Sequence, residues 1–187
     1  NGFITVEAGI TIRSLLRLIL PHGWFLPVIP GTLQLSAGGC FASDVHGKNH
    51  HKTGTFSSSV DWFDLMLASG QIVRCSVKEN SDIFWTTAGG MGLTGFICRI
   101  RIKLMRVSTS YIFAKFIKAD NLFELMDIVE ENDEEWHYSV AWLDCLSNGN
   151  KLGRGIAILG RHAEIHELPR SKKKMPLKLN SEISLSV

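Results

Sequence analysis

The sequence predicts an α+β chain in two parts, and three observations carry that reading. The extended stretches are short and alternate in character, as where Ile100, Ile102 and Leu104 interleave with Arg99, Arg101 and Lys103. That is the period of a strand with one buried and one wet face. Two other stretches, Asp61–Ala68 and Gln71–Ser76, flank Ser69-Gly70, a pair suited to a tight turn, and read as a hairpin. After Val107-Ser108-Thr109-Ser110 the pattern restarts as strand, helix, strand, strand. This divides the chain into domains 1–107 and 108–187, the second of an α+β type.

The elements follow in order. Gly2–Ala8 reads as a strand closed by Gly9. Thr11 is placed to cap a helix over Ile12–Leu20, with Leu15, Leu16, Leu18 and Ile19 as core positions and Pro21 and Gly23 as stops. In the hairpin, Val60, Trp62, Leu65 and Leu67 are expected in the core. Ser81 is placed to cap one or two helical turns ending at Ala88, and Phe96–Met105 is the long alternating strand. In the second part Tyr111–Lys118 reads as a strand. Asn121 and Glu124 form a capping box for a helix to Glu131, with Leu122, Leu125, Met126 and Val129 facing inward. Asn132–Glu135 is an acidic turn, and Trp136–Asp144 and Gly153–Gly160 are further strands.

Composition narrows the function classes. At 187 residues, 45% hydrophobic and 20% charged, the chain has ordinary globular content, and its net charge of +2 argues against nucleic acid as a partner. The longest apolar run, near Leu15–Leu20, is broken by Arg17 and is far too short to span a bilayer. The four cysteines, Cys40, Cys75, Cys98 and Cys145, form no Cys-x-x-Cys pair. They read as reduced, mostly buried thiols of a cytoplasmic protein. There is no initiator methionine, and Asn1 reads as the middle of a longer chain.

The chemistry concentrates in residues 28–56. Gly31, Gly38, Gly39, Gly47 and Gly54 punctuate this stretch, with Thr32, Ser36 and Ser43 between them and Asp44, His46, Lys48, His50 and His51 after. Glycine permits close backbone approach to a ligand, and free N–H groups at a helix start can hold a pyrophosphate. An ordinary glycine-rich surface loop is the plain alternative. A metal site is the other, since His46 and His50 stand at i, i+4. Gly47 opposes a helix there, no cysteine is near and no His-Glu-x-x-His motif is present, so no metal is expected. A second glycine cluster, Gly89-Gly90-Met91-Gly92-Leu93-Thr94-Gly95, precedes a strand instead of following one. It is therefore not a Rossmann fingerprint, and by spacing it is a tight turn or a ligand loop.

Pro30-Gly31-Thr32, Gly38-Gly39 and Ala42-Ser43-Asp44-Val45-His46-Gly47-Lys48-Asn49-His50-His51 resemble the FAD-binding domain of the vanillyl-alcohol oxidase / p-cresol methylhydroxylase superfamily. Within it they are most similar to the decaprenylphosphoryl-ribose 2′-oxidase family, and the likeness runs to about Leu179. The resemblance implies the second half of a PCMH-type FAD-binding domain, followed by the start of an antiparallel-sheet substrate domain. The first half, with its own glycine-rich loop, would precede Asn1, and further pocket residues would follow Val187. FAD would be held at Gly31, Ser36, Ala37, Gly38, Gly39, Ser43, His46, Gly92, Gly95 and Ile97, without covalent attachment within this segment.

The implied reaction is oxidation of a secondary alcohol, the 2′-hydroxyl of a polyprenylphosphoryl pentose, in cell-wall polysaccharide synthesis, with a reductase partner completing an epimerisation. His46 and Lys48 would serve catalysis, and Lys48 and Trp142 would face substrate. By pattern alone Trp142 is equally a core residue. Val140 stands where the family has a hydroxyl residue. A soluble alditol or aldonolactone oxidase and a non-catalytic flavin-fold remnant are the alternatives. The basic run Arg170-Ser171-Lys172-Lys173-Lys174 reads as a solvated, mobile segment or as a peripheral contact with anionic lipid.

Overall fold

A computed structural model describes residues 2–179. Asn1 and residues 180–187 of the expected second domain lie outside the described residues. The chain divides into two compact units, one of residues 2–110 with 175–179 and one of residues 111–174.

The first unit begins with β1, Phe3–Glu7, and α1, Ile12–Ile19. Thr11 caps α1 by accepting the Ser14 N–H at 3.1 Å. Ile12, Leu15, Leu16 and Ile19 are buried along one stripe, whereas Leu18 is 57% exposed, contrary to expectation. Positions i, i+3, i+4 and i+7 share a helix face, and Leu18 falls outside it. Gly23 at φ 73° ends the turn after α1. Then come β2, Trp24–Phe25; α2, Ala37–Ala42; α3, His50–Thr53; and the hairpin β3, Val60–Met66, with β4, Ile72–Ser76. Next are α4, Ser81–Thr87; β5, Phe96–Lys103; and β6, Met105–Arg106, which pairs with β2.

The main sheet has the order β1-β5-β3-β4 with antiparallel pairing throughout. Its inner face buries Ile100 and Ile102 with Phe63 and Leu65. On the outer face Asp64 receives Arg74 at 3.0 Å and Arg99 at 2.7 Å, and Arg101 meets Asp61 at 3.1 Å. Arg99 and Arg101 of β5 are thus neutralised on the sheet itself. Trp62 is on this outer face and is not a core residue as expected. Arg74 stacks over its ring at 3.9 Å, and Phe63 takes the inward position.

The glycine-rich stretch 28–56 contains a core element. In α2, Ala37, Gly38, Cys40 and Phe41 are buried. The Phe41 ring lies 4.7 Å from Phe63 and 5.2 Å from Phe84, joining α2, β3 and α4. Burial pushes the Cys40 thiol up to about 11, so it packs as an apolar group.

The second unit comprises β7, Ile112–Ala119; α5, Leu122–Asn132; β8, Tyr138–Leu143; β9, Gly155–His162; and α6, Arg170–Lys173. Its sheet runs β7-β9-β8, all antiparallel. Asn121 caps α5 through the Glu124 N–H at 3.0 Å, while the Glu124 carboxylate accepts from Asp120 N instead of Asn121 N. Leu125, Ile128 and Val129 face the sheet at Ile117, Ala119 and Ala157. Met126, expected inward, is 58% exposed and Leu122 is only partly covered. The stripe is set by Leu125 with its i+3 and i+4 neighbours, and Met126 lies off it. The basic run is not irregular chain. It forms α6, and Lys173 Nζ donates to the His166 carbonyl at 2.9 Å.

Candidate functional site

Two clefts of the first unit gather the candidate residues. The smaller, of about 380 Å³, is lined by Ser36, Gly38, Gly39, Gly92, Gly95 and Ile97, together with Ala8, Gly9, Ala42 and Phe96. The larger, of about 440 Å³, is lined by Gly31, Ser43, His46 and Lys48, together with Ile29, Pro30, Asp44, Val45 and Gly47. Of the residues named for FAD, only Ala37 lines neither cleft. It is wholly buried beneath the helix start.

The start of α2 is built differently from the expectation of free N–H groups. Ala37 N–H donates to the Ile10 carbonyl at 2.9 Å and Gly38 N–H to the Ala8 carbonyl at 2.8 Å. Gly39 N–H donates to Ser36 Oγ at 3.1 Å. These donors are used within the chain, so the helix start is itself pinned to the end of β1. Gly38 serves that approach, because a Cβ there would lie 2.9 Å from the Ala8 Cβ. By contrast, a Cβ at Gly9, Gly31 or Gly92 would meet nothing within 4 Å. Those three positions leave open space in or beside the clefts, which a close-approaching ligand can use.

The second glycine cluster closes the smaller cleft. Gly89, Met91 and Gly92 have φ of 73°, 52° and 77°. The loop is fixed to the far end of α2 where Gly89 N–H donates to the Phe41 carbonyl at 3.2 Å and Met91 N–H to the Ala42 carbonyl at 2.8 Å. Gly95 combines φ of 152° with a would-be Cβ 2.5 Å from the Met66 carbonyl oxygen. Its absence of a side chain is required by the sheet, whether or not a ligand is present.

His46 lies exposed at the larger cleft. Its backbone bridges Thr55 in antiparallel fashion, and its Nδ1 is 3.3 Å from the Gly47 carbonyl oxygen. Its ring stands 5.6 Å from that of His50, which is 6.5 Å from His51. Among the described residues no group of three or more His, Cys, Asp or Glu side chains could hold a metal ion. Lys48 is exposed beside His46, and the next residue, Asn49, is buried and anchored through Nδ2 to the Pro27 carbonyl at 2.8 Å and Thr53 Oγ1 at 2.6 Å. A buried amide so held fixes the turn that presents Lys48.

Trp142 belongs to the second unit. It is 70% exposed, so it is not a core tryptophan among the described residues. It pairs with Ile156 and Val140 pairs with Ile158. By strand alternation both lie on the sheet face away from α5. Ala8, Gly9 and Phe96 line the smaller cleft without being assigned to a site from sequence. Gly9 carries a local signal as a strand-ending glycine, whereas Ala8 and Phe96 carry none.

Residues 1–76 match the family described as FAD binding domain. The chain is 37% identical over 180 residues to decaprenylphosphoryl-beta-D-ribose oxidase of Mycolicibacterium smegmatis, covering 95% of this chain and 39% of that protein. It is 35% identical over 168 residues to an uncharacterised protein of Streptomyces coelicolor, 45% of whose length is matched. Over 102 residues it is 32% identical to human delta(24)-sterol reductase, covering 54% of this chain and 20% of that one. The chain therefore spans less than half the length of these relatives. The sequence matches converge on one likeness: residues 1–76 match the FAD binding domain family, and nearly the whole chain is similar to part of an oxidase.

Proposed function

We propose that this chain is part of an FAD-dependent oxidoreductase that oxidises a secondary alcohol of a sugar, the 2′-hydroxyl of a polyprenylphosphoryl pentose. The observation that supports this most directly is the distribution of the candidate residues. Ser36, Gly38, Gly39, Gly92, Gly95 and Ile97 gather at one cleft, and Gly31, Ser43, His46 and Lys48 at the next. An elongated dinucleotide needs such a pair of clefts, and the unobstructed glycine positions fit its close approach. The first unit would be the PCMH-type FAD-binding domain and the second a substrate-binding domain. The likeness to the mycobacterial ribose oxidase, which extends through nearly the whole chain, supports the sugar substrate.

When bound, the flavin would supply the hydride acceptor. The chain's own residues would orient and polarise. The glycine loop 89–95 would enclose one end of the cofactor. The His46 imidazole could donate to or accept from a phosphate, ribose or ring oxygen, according to its tautomer. The Lys48 ammonium, carried on the Asn49 anchor, would steady negative charge on substrate or cofactor. Trp142 would offer an apolar wall to the sugar or its lipid. A reductase acting on the keto product would complete an epimerisation. The exposed cations of α6, Arg170, Lys172 and Lys173, would give peripheral contact with an anionic membrane. No helix among the described residues is long and apolar enough to cross one.

The test is the visible spectrum of the purified full-length protein, followed by anaerobic addition of a polyprenylphosphoryl pentose. Flavin absorption that bleaches on addition supports the reading. Flavin that bleaches only with a free alditol would replace the lipid-linked substrate with a soluble one. Absence of flavin would defeat the reading altogether.

A further inference from the structure

Asp44 stands at the corner where the chain leaves α2 and turns towards His46. Its backbone has φ of 41°. A non-glycine residue holds that conformation only where its surroundings impose it, and aspartate and asparagine tolerate it best. The surroundings here are specific. Asp44 N–H donates to the Phe41 carbonyl at 2.9 Å and Val45 N–H to the Cys40 carbonyl at 3.0 Å, which fix the corner to α2. Asp44 Oδ1 accepts the N–H of the buried Ser57 at 2.9 Å. Phe56 N–H donates to the Val45 carbonyl at 2.8 Å, and His46 bridges Thr55. The short lead into His46 is therefore held from behind by α2 and from alongside by residues 55–57. The Asp44 carboxylate is the side-chain bond in that second attachment.

We propose that Asp44 is a positioning residue for His46: by holding the Ser57 N–H it fixes the backbone that aims the imidazole at the larger cleft. The assignment rests on the flavin reading of that cleft. The position makes three demands on its side chain: shortness, tolerance of a left-handed backbone and an acceptor oxygen. Asparagine meets all three. Glycine meets the first two and removes the acceptor, so it isolates the bond to Ser57 from the backbone requirement.

The experiment titrates FAD into apoprotein prepared from the full-length chain, by flavin fluorescence, with visible circular dichroism of the bound flavin as a second readout. The variants are Asp44→Asn, Asp44→Gly, His46→Ala and the double variant Asp44→Gly/His46→Ala. Asp44→Asn should keep FAD affinity within about twofold of wild type and keep the dichroic signature. Asp44→Gly should weaken affinity by about tenfold, the upper scale of one hydrogen bond, and should alter the signature as His46→Ala does. In the double variant the loss should equal that of His46→Ala alone, because a residue acting through His46 adds nothing once His46 is gone. Wild-type affinity in Asp44→Gly would overturn the proposal. So would a loss in Asp44→Asn as large as in Asp44→Gly, or additive losses in the double variant, which would mean direct contact with the cofactor. No loss in His46→Ala would remove the role that Asp44 serves. A wild-type protein that binds no FAD would instead defeat the flavin reading, and this assignment with it.

Discussion

At the scale of single residues, the two glycine clusters separate into positions that serve packing and positions that leave room. Gly38 and Gly95 are needed by the Ala8 side chain and the Met66 carbonyl, while Gly31 and Gly92 face open space. Gly95→Ala should therefore lower the melting temperature as well as cofactor occupancy. The strain is about 1–3 kcal/mol for a left-handed or clashing backbone, and differential scanning fluorimetry of the apoprotein would register it. Gly92→Ala, at a φ of 77°, is also strained, but it puts its methyl into the cleft. Gly92→Ala should reduce FAD occupancy by a larger factor than Gly95→Ala does for the same loss of melting temperature. His46 gives a third expectation at this scale. His46→Ala in the full-length protein should weaken FAD retention or slow flavin reduction, with the fold intact. Anaerobic stopped-flow reduction checks it, with chelator-treated protein as control. Activity restored by zinc after chelation would point to a metal instead.

At the scale of elements, local pattern and long-range contact divided what could be read. The stripe of α1, the β3–β4 hairpin, the Asn121 cap and the alternation of β5 are all set by residues within a few positions of one another. Periodicity exposes the elements directly, although it misplaces Leu18 of α1 and Trp62 of the hairpin, which lie outside the core. The helix α2 is different. Gly38-Gly39 lowers helix propensity, and the segment is helical because Phe41 fits against Phe63 and Phe84 and Gly38 against Ala8. No local pattern carries those contacts, nor the bond from Asp44 to Ser57. The inward residues of α5 were half legible, because Met126 and Ile128 are equally apolar and only the sheet decides between them. The outer ladder of the main sheet offers a test at this scale. Burial tends to raise the Asp64 pKa, but the hydrogen bonds and charges of Arg74 and Arg99 outweigh it and hold the carboxyl below its ordinary 3.8. A depressed folded-state pKa contributes stability above the unfolded-state pKa of about 3.9, and that contribution is lost as pH falls through the folded value. Asp64→Asn should cost about 1.5–3 kcal/mol at pH 7, the range for hydrogen bonds to a charged group. In urea titrations the difference from wild type should shrink as pH drops below about 4. A difference that stays constant with pH would mean that packing around Asp64, and not its charge, is what the substitution removes.

At the scale of the whole molecule, the two compact units are expected to carry separable work. The clefts with the candidate cofactor residues belong to the first unit, while the exposed Trp142 lies on the α5-free face of the second unit's sheet. Trp142 removes no buried core when truncated, since 70% of it is already exposed. Trp142→Ala in the full-length protein should leave flavin content and melting temperature close to wild type. It should raise KM for a polyprenylphosphoryl pentose by about tenfold, the scale for losing one large apolar contact to a substrate. His46→Ala and Gly92→Ala should show the reverse pattern, with flavin content falling first. Steady-state kinetics alongside flavin quantified after acid precipitation distinguishes the two. The same precipitation should release the yellow cofactor into the supernatant, because the resemblance implies FAD held without covalent attachment within this segment. Equal loss of flavin from first-unit and second-unit variants would show that cofactor binding is distributed over both units, and the division of labour assigned to them would then be wrong.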